Sequence, residues 1–363
     1  MRATVPAMVN AHSHAFQRDL RGIGERPSRF DDDFWSWRTA MFALAAALDP
    51  DRMRDVARRV YAEMAAAGYG AVGEFHYVHH QPDGTPYAGD PNVLAKTVAL
   101  AGVEAGLQMV LIAAAYHRGD HPAQRRFSDP TPEAFLERLD ALRAWADRTP
   151  GVSVAVAAHS VRAVPADWLG ELAGYADAHG LVRHVHAHEQ RRELDECAAE
   201  HGCTPIELLH RTGFLGPRTS VIHGIHVSDD DVARLAETDT IVVSCPTTEG
   251  NLGDGYLPAL RYRDAGVRLA IGSDSHVRVD PFEEVRELET GARREGQTRH
   301  ALLAHYGDLW ATLARNGAAS LGLDGGGTIE VDLDVAPEDV PLALATCASA
   351  GAVSRAARSG GGA

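Results

Sequence analysis

Short apolar runs alternate with longer amphipathic segments along most of the chain. The short runs are typical of buried strands, whereas the longer stretches, rich in Ala, Leu, Arg and Glu, are typical of helices. The pattern predicts eight strands, at Ala7–Asn10, Gly70–Phe75, Gln108–Ala113, Ser153–Ala158, Leu181–Val185, Thr219–Ile222, Thr240–Ser244 and Arg268–Ile271. It predicts helices near residues 52–67, 92–106, 132–148, 166–179, 191–200, 229–237, 258–265, 281–296 and 299–320.

Eight short strands separated by helices favour an α/β fold with a parallel (β/α)8 barrel, of the TIM type, over a sandwich. The 363 residues are enough for such a barrel in one large domain. A doubly wound open sheet is the competing interpretation, because the number of strands alone does not separate the two folds.

The two ends of the chain depart from this alternation. Asp31–Asp33 and the aromatic cluster Phe34–Trp37 predict a loop that enters a helix, with the aromatic rings packing structurally. The tail from Gly322 predicts one strand, over Thr328–Leu333, and then disorder that includes Ser359–Ala363.

Composition and charge exclude several classes of protein. About 45% of the residues are apolar and 23% are charged, which is ordinary globular usage, and the formal net charge of −15 disfavours nucleic acid and anionic membranes as partners. The four cysteines form no CxxC pair and are expected to be reduced and mostly buried. No signal peptide and no apolar run of about 18 residues is present, so we expect a cytoplasmic protein.

Histidines follow two of the predicted strands with the spacing of metal ligands. His12 and His14 follow the first strand, and residues two apart in an extended segment point to the same side. His186 and Glu189 follow the fifth strand, so that a histidine can bind a metal while a nearby carboxylate handles protons. His184 and His188 are expected to support the site or to lie on the surface.

Two further strand ends carry residues of the same kind. His223 follows the sixth strand, where a lone histidine is usually only a satisfied polar group. Asp274 follows the eighth strand, where it can bind a metal or take a proton from water, although a helix N-cap explains it equally well. Because the ends of parallel barrel strands share one face, these residues are expected to converge.

The combined set changes the interpretation of each member. His12, His14, His186 and Asp274 form a nitrogen-and-oxygen ligand set that suits Zn²⁺ with one position left open. The fourth predicted strand ends without a lysine, which disfavours a binuclear site bridged by a modified lysine. The sequence therefore predicts one zinc ion per subunit.

Several longer motifs make the chain resemble the amidohydrolase superfamily and, within it, the formimidoylglutamate deiminases of histidine degradation. The resemblance covers residues 5–320. The matching stretches are Asn10–Arg18, Phe34–Arg38, Glu74–His80, His159–Val164, Cys245–Gly255 and Gly272–His276.

This resemblance implies a reaction and roles for particular residues. Water activated by zinc attacks the formimino carbon of N-formimino-L-glutamate, ammonia leaves, and N-formyl-L-glutamate remains. Glu189 and His223 assist proton transfer, and Asp274 acts as the base on the water. His159 corresponds to a position that contacts the substrate near the reacting carbon.

A dianionic substrate needs fixed cationic donors, and arginine forks match carboxylates. Arg38 follows an aromatic stretch that does not look helical, and Arg162 follows a predicted strand end. On sequence grounds alone, both would be interpreted as ordinary surface arginines. The motif match makes them candidate substrate ligands instead. Gln17 and Tyr77 can add neutral hydrogen bonds. The expected partner is a small anionic amino-acid derivative.

The chain also departs from the family pattern. Relatives carry a small β-sandwich beside the barrel, and here this module is expected to be missing or reduced. We therefore predict a barrel over residues 1–320 and a β-sandwich remnant with a disordered tail over 321–363, with an exposed flank that favours a homodimer. An extra imidazole at His188 is expected to perturb Glu189.

Two other functions stay open at this point. A related deaminase acting on a purine or another cyclic amidine would use the same metal ligands but would leave Arg38 and Arg162 without natural partners. A non-catalytic relative that serves as a binding protein is the third hypothesis.

Overall fold

The computed structural model describes residues 1–26 and 33–358. Asp31 and Asp32 of the predicted loop and the predicted disordered residues 359–363 lie outside this part of the chain. The described residues contain eleven strands: β1 (Arg2–Pro6), β2 (Met8–Ser13), β3 (Tyr69–His76), β4 (Gln108–Ala115), β5 (Val152–Ser160), β6 (Arg183–Ala187), β7 (Thr219–His223), β8 (Ile241–Ser244), β9 (Leu269–Ile271), β10 (Thr328–Asp332) and β11 (Val353–Arg358).

Strands β2 to β9 form one parallel sheet in which each strand pairs with the next one along the chain. The first and last strands of this sheet approach each other at their carboxyl ends, where Ser13, the last residue of β2, forms an isolated parallel bridge with Asp274, which follows β9. The backbone oxygen of His12 accepts hydrogen bonds from the N–H groups of Ser273, at 3.1 Å, and Asp274, at 3.0 Å. The sheet is therefore a nearly closed barrel, which confirms the predicted TIM-like fold and excludes the doubly wound sheet.

Helices fill the connections between the barrel strands. α2 shows why they form where they do: Asp49 caps its first turn through the N–H of Arg52, Pro50 is its first residue, and Gly68 ends it with φ 103°. The fourteen described α-helices are α1 (Phe34–Ala46), α2 (Pro50–Ala67), α3 (Val93–Glu104), α4 (Pro132–Ala146), α5 (Ala166–His179), α6 (Arg191–His201), α7 (Pro205–Arg211), α8 (Asp229–Glu237), α9 (Pro246–Leu252), α10 (Ala259–Ala265), α11 (Pro281–Gly296), α12 (Leu302–Tyr306), α13 (Leu309–Ser320) and α14 (Val340–Thr346).

Some element boundaries differ from the prediction, for local reasons. β6 begins two residues later than predicted, because Gly180 ends α5 with φ 69° and the N–H of Leu181 still bonds back to Ala176. The predicted helix at 299–320 is two helices, α12 and α13, since Gly307 has φ 70° and Asp308 caps a new start. The short helices α7 and α9 were missing from the prediction.

The seam between β2 and β9 is covered by α13, which packs against both strands. Gly317 of this helix allows the close approach, because a Cβ there would lie 3.1 Å from the backbone oxygen of Val9. The side chain of Asn316 donates to the carbonyl of Leu269, at 2.8 Å. This helix therefore supports the two strands whose ends carry His12 and Asp274.

A three-stranded antiparallel sheet of β1, β10 and β11 stands beside the barrel. The flanking module is thus reduced rather than missing. The tail was predicted to hold one strand, but α14 and β11 follow β10 within the described residues, so that expectation was incomplete. The predicted division after residue 320 stays a prediction, and the pairing of β1 with β10 crosses it.

The described helices include none that is both long enough and apolar enough to cross a membrane. The cytoplasmic location stays a prediction. All four cysteines are free thiols, and three of them are buried, as expected.

Gly70 in β3 tests the contact between the barrel and the segment that leads into β10. A Cβ at Gly70 would lie 1.8 Å from the backbone oxygen of Gly326. We expect Gly70→Ala to lower the free energy of unfolding by about 1–3 kcal/mol through overpacking, measured by urea unfolding. Gly174→Ala is the matched control, since Gly174 is exposed in α5 with nothing near its Cβ position. It should gain about 0.5–1 kcal/mol, and equal changes in the two variants would contradict the contact.

Candidate active site

The candidate ligand and acid–base residues meet at the carboxyl ends of the barrel strands. His12 lies in β2, His186 in β6 and His223 at the end of β7, while Glu189 follows β6 and Asp274 follows β9. All five are buried. In a parallel barrel this end is the face where catalytic groups converge.

Three imidazoles surround one point in this face. His12, His14 and His186 each offer one ring nitrogen, and the three nitrogens lie within 4.8 Å of one another. The carboxylate of Asp274 closes the group, since its Oδ1 lies 3.6 Å from Nε2 of His12 and 3.4 Å from Nε2 of His14. The structure therefore brings the four predicted metal ligands together.

Backbone carbonyls determine which nitrogen carries the hydrogen in two of these rings. Nδ1 of His14 faces the carbonyl of Phe75 and Nδ1 of His186 faces the carbonyl of His159, both at 2.8 Å. Because a carbonyl only accepts, each Nδ1 carries a hydrogen and each neutral ring turns its Nε2 lone pair inward. Burial lowers the pKa of His12, His14 and His186, which keeps the rings neutral.

The inward-facing nitrogens fit a cation. Nε2 of His186 lies 3.0 Å from Nε2 of His12, and two lone pairs cannot face each other at that distance without a proton or a cation between them. Nδ1 of His12 is buried with no hydrogen-bond partner in the described part of the chain. Three neutral imidazoles and one carboxylate are a donor set that zinc prefers.

The backbone around the site is held in an unusual conformation. Asp274 has a backbone φ of 47° and His223 has one of 73°, values that residues other than glycine rarely adopt. At Asp274 the strain is offset by hydrogen bonds on both sides, since its N–H bonds to His12 and its carbonyl accepts from His14 at 3.1 Å. These bonds fix where the carboxylate lies relative to the imidazoles.

His223 lies among three carboxylates. Its Nε2 is 3.6 Å from Glu189 and 4.0 Å from Asp274, and its Nδ1 is 3.3 Å from Glu249. Burial opposes protonation, but Glu189, Glu249 and Asp274 outweigh it and raise the pKa of His223 to about 10. Burial raises the pKa of Glu189, while His223 and Arg162 lower it. The pair Glu189–His223 can therefore hold and move a proton beside the ligand cluster.

A cavity of about 440 Å³ opens onto these residues. Gln17, Tyr77 and His159 line it, and the side-chain amide of Gln17 donates to the Tyr77 hydroxyl at 2.9 Å. Burial lowers the pKa of His159, and Arg162 adds to the effect, so this ring presents neutral donor and acceptor atoms. All five predicted substrate-binding residues line the same cavity.

Arg38 and Arg162 supply positive charge in this cavity. Arg38 lies inside α1, not in the non-helical stretch predicted, and its guanidinium packs 4.9 Å from the ring centre of Phe42. It forms no ion pair within the described residues, so it stays available to an anion. Arg162 lies 3.6 Å from Glu189 and 3.8 Å from Glu193.

The sequence interpretation assigned some residues to the wrong surroundings. Phe34, Trp35 and Trp37 line the cavity, although they were expected only to pack structurally. Of the two alternatives left open for His184 and His188, the surface position is wrong, since both are buried. His184 faces the carbonyl of Ser320.

His188 points away from the cavity and does not act as an extra imidazole beside Glu189. Its Nδ1 donates to the carbonyl of His226 at 2.8 Å, and its Nε2 accepts from the N–H of Ile206 at 3.1 Å. The backbone of His188 has a φ of 59°, which is not a strand conformation. The alternation in which every second residue of β6 points to the same side therefore ends before His188.

Known proteins share this architecture. The sequence pattern of the amidohydrolase family matches residues 3–333. A formimidoylglutamate deiminase of Pseudomonas aeruginosa is 40% identical over 308 residues, which cover 83% of this chain and 67% of the relative. A 5-methylthioadenosine/S-adenosylhomocysteine deaminase of Haloarcula marismortui is 30% identical over 328 residues, which cover 89% and 69%. The crystal structure of an amidohydrolase from Brucella melitensis superimposes with a TM-score of 0.90 at 31% identity, covering 98% of this chain and 85% of that one.

The chain belongs to the amidohydrolase family. Family membership makes it a hydrolase and confirms the resemblance predicted from the motifs around the metal ligands and Arg38. The roles of the individual site residues stay predictions, because similarity of the whole chain does not test them one by one.

The residues that escaped the sequence interpretation include three that contact residues of this site. Glu249 contacts His223, Glu193 contacts Arg162, and Arg192 lines the cavity 4.4 Å from the ring centre of Trp35. Glu193 and Arg192 lie in the first turn of α6, directly after the histidine-rich strand end. That position is the one signal that could have indicated them.

Two histidines of β6 provide a matched test of the ligand set in this amidohydrolase. His186 faces the cluster, whereas the equally buried His184 faces Ser320. We expect His186→Gln to lose most of the divalent metal that copurifies with the wild-type chain, and His184→Gln to retain it. Removing one ligand or its support typically costs about 10–100-fold or more in metal affinity. Elemental analysis of the purified proteins measures the metal per chain, and equal contents would contradict the assignment.

Proposed function

We propose that the chain hydrolyses N-formimino-L-glutamate to N-formyl-L-glutamate and ammonia, with one Zn²⁺ per subunit, as a step of histidine degradation. The observation that carries the proposal is the presence of Arg38 and Arg162 in the same cavity as the metal-ligand cluster. The similarity to a formimidoylglutamate deiminase supports the same substrate. Association into a homodimer stays a prediction.

His12, His14, His186 and Asp274 would hold the zinc. The inward lone pairs of three neutral imidazoles fit zinc better than a hard cation such as Mg²⁺, which prefers oxygen ligands. At this position zinc would supply Lewis-acid polarisation and make hydroxide available at neutral pH.

Asp274, Glu189 and His223 would each take a different part in proton transfer. Asp274 accepts a proton from the attacking water, because its carboxylate is buried at the rim of the ligand cluster. Glu189 carries a proton to the leaving nitrogen, and its raised pKa suits a group that must be protonated at one stage of the reaction. His223, between Glu189 and Asp274, stabilises whichever carboxylate is charged.

Substrate recognition follows from the cationic and neutral donors. A guanidinium fork binds a carboxylate through two parallel hydrogen bonds, and two forks suit the two carboxylates of a glutamate derivative. Gln17 and Tyr77 add neutral hydrogen bonds, and His159, which lines the same cavity as His14 and His186, would contact the formimino group. Local arginines are needed here because the net charge of −15 repels a dianion.

Deamination of a purine is the second candidate. The similarity to a 5-methylthioadenosine/S-adenosylhomocysteine deaminase supports it, and the aromatic rings of Phe34 and Trp35 in the cavity suit a base. Arg38 and Arg162 count against it, since 5-methylthioadenosine is neutral and S-adenosylhomocysteine offers two guanidinium groups only one carboxylate.

Ammonia release distinguishes the two candidates. We expect the zinc-loaded chain to release ammonia from N-formimino-L-glutamate and not from 5-methylthioadenosine, S-adenosylhomocysteine or guanine. Arg38→Gln should raise KM by about 10–100-fold, because a charged hydrogen bond worth about 1.5–3 kcal/mol is lost. Arg118→Gln is the control, since Arg118 lines the same cavity but already pairs with Glu200. Turnover of the purines alone would overturn the proposal.

Glu189→Gln tests proton transfer apart from metal binding. We expect kcat to fall by about 10²–10⁴-fold while the zinc content stays unchanged, because the amide keeps the shape of the carboxyl group but cannot take up and release a proton. Glu196→Gln serves as the control, since Glu196 lines the cavity but pairs with Arg192 at 2.6 Å. An unchanged kcat in Glu189→Gln would remove Glu189 from the reaction.

A further inference from the structure

We propose that Glu193 is a positioning residue that holds the Arg162 guanidinium away from Glu189. Arg162 then stays available to a substrate carboxylate, and Glu189 stays available for proton transfer. As far as it concerns substrate, this inference rests on the proposed function.

Glu193 is placed directly behind the site. It lies in the first turn of α6 and is completely buried, and it lies outside the described lining of the cavity. Its Oε2 accepts the backbone N–H of Glu189, at 3.3 Å. The carboxylate is therefore tied to the turn that presents Glu189.

Arg162 lies between two carboxylates without bonding closely to either. Its Nη2 is 3.6 Å from Oε2 of Glu189, and its Nε is 3.8 Å from Oε1 of Glu193. Both distances exceed a hydrogen bond. Nε of Arg162 and Oε1 of Glu193 are both buried, and neither has a hydrogen-bond partner among the described residues. Glu193 thus offsets the attraction of Glu189 for the guanidinium.

The surroundings leave Arg162 few other positions. The rings of Phe34 and Trp35 lie 6.0 and 5.8 Å from its guanidinium carbon. A buried charge that loses one partner is strongly destabilised unless it finds another. Without the charge of Glu193, Arg162 would therefore pair with Glu189, the remaining carboxylate within 4 Å among the residues that the structure describes.

Among the described residues, the ring of His188 is the other basic group that acts on Glu193. The nearby ring of His188 donates through Nδ1 to a carbonyl and accepts through Nε2 from an N–H. A ring bonded in this way carries one proton and no charge. The charge of Glu193 thus acts on Arg162.

Glu193→Gln is the test, since its amide oxygen can still accept the N–H of Glu189 while the charge is gone. We expect KM for N-formimino-L-glutamate to rise about tenfold, the equivalent of one lost charged contact, and kcat to fall as well. A merely structural defect would lower the active fraction and leave KM unchanged. Glu289→Gln is the matched control: Glu289 is also fully buried, accepts the N–H of Leu303 and pairs with Arg293, but lies away from the cavity.

Crystal structures of the wild type and Glu193→Gln give a readout that needs no substrate. We expect Arg162 and Glu189 to close to a direct hydrogen bond of about 3 Å in the variant. An Arg162 that keeps its wild-type position, or a KM equal to that of Glu289→Gln, would overturn the inference. If the wild type turns over no N-formimino-L-glutamate, the proposed function fails and the structures alone decide the role of Glu193.

Glu193→Asp covers the case in which the glutamine variant does not fold. It keeps the charge but withdraws the carboxylate by one methylene, so Arg162 should move toward Glu189 and KM should rise by a smaller factor. An aspartate variant with the wild-type KM and an unmoved Arg162 would also overturn the inference.

Discussion

The hydrogen bonds between the ends of β2 and β9 are the constraint on which the rest of the molecule depends. The carbonyl of His12 accepts two N–H groups from the segment after β9, and the carbonyl of Asp274 accepts the N–H of His14. The same bonds close the barrel and set the distance between two imidazoles and a carboxylate. Closure of the barrel therefore also brings together three of the four predicted ligands, and α13 packs over the seam where this happens.

The site combines a cluster of carboxylates with a guanidinium that pairs with none of the described carboxylates. Glu189, Glu249 and Asp274 surround His223, while Arg38 lies among aromatic rings with no carboxylate paired to it in the described structure. Aromatic faces attract a guanidinium without neutralising it, so they leave its hydrogen-bond donors free. An acidic protein can in this way keep cationic positions for an anionic ligand.

The sequence was sufficient for the barrel and for the convergence of His12, His186 and Asp274, because strand ends of a parallel barrel share one face. It was insufficient where the backbone conformation determines which way a side chain points. His188 continues the alternation of the histidines in sequence, yet its φ of 59° turns its ring toward His226. Arg38 appeared to lie in a loop because the preceding aromatic residues hide the helical period of α1. Pairings such as Glu193 with Arg162 depend on tertiary contact and leave no local pattern.

The proposed roles of Arg162 and Glu189 create a conflict that the fold must resolve. In the proposed function Arg162 binds a substrate carboxylate within reach of Glu189, whose own carboxylate competes for the guanidinium. A second buried carboxylate on the far side costs desolvation free energy, yet it balances the guanidinium between two attractions. Because Glu193 is anchored to the backbone of Glu189, any shift of that turn moves both carboxylates together and preserves the balance. The arrangement is therefore better explained by positioning than by stability.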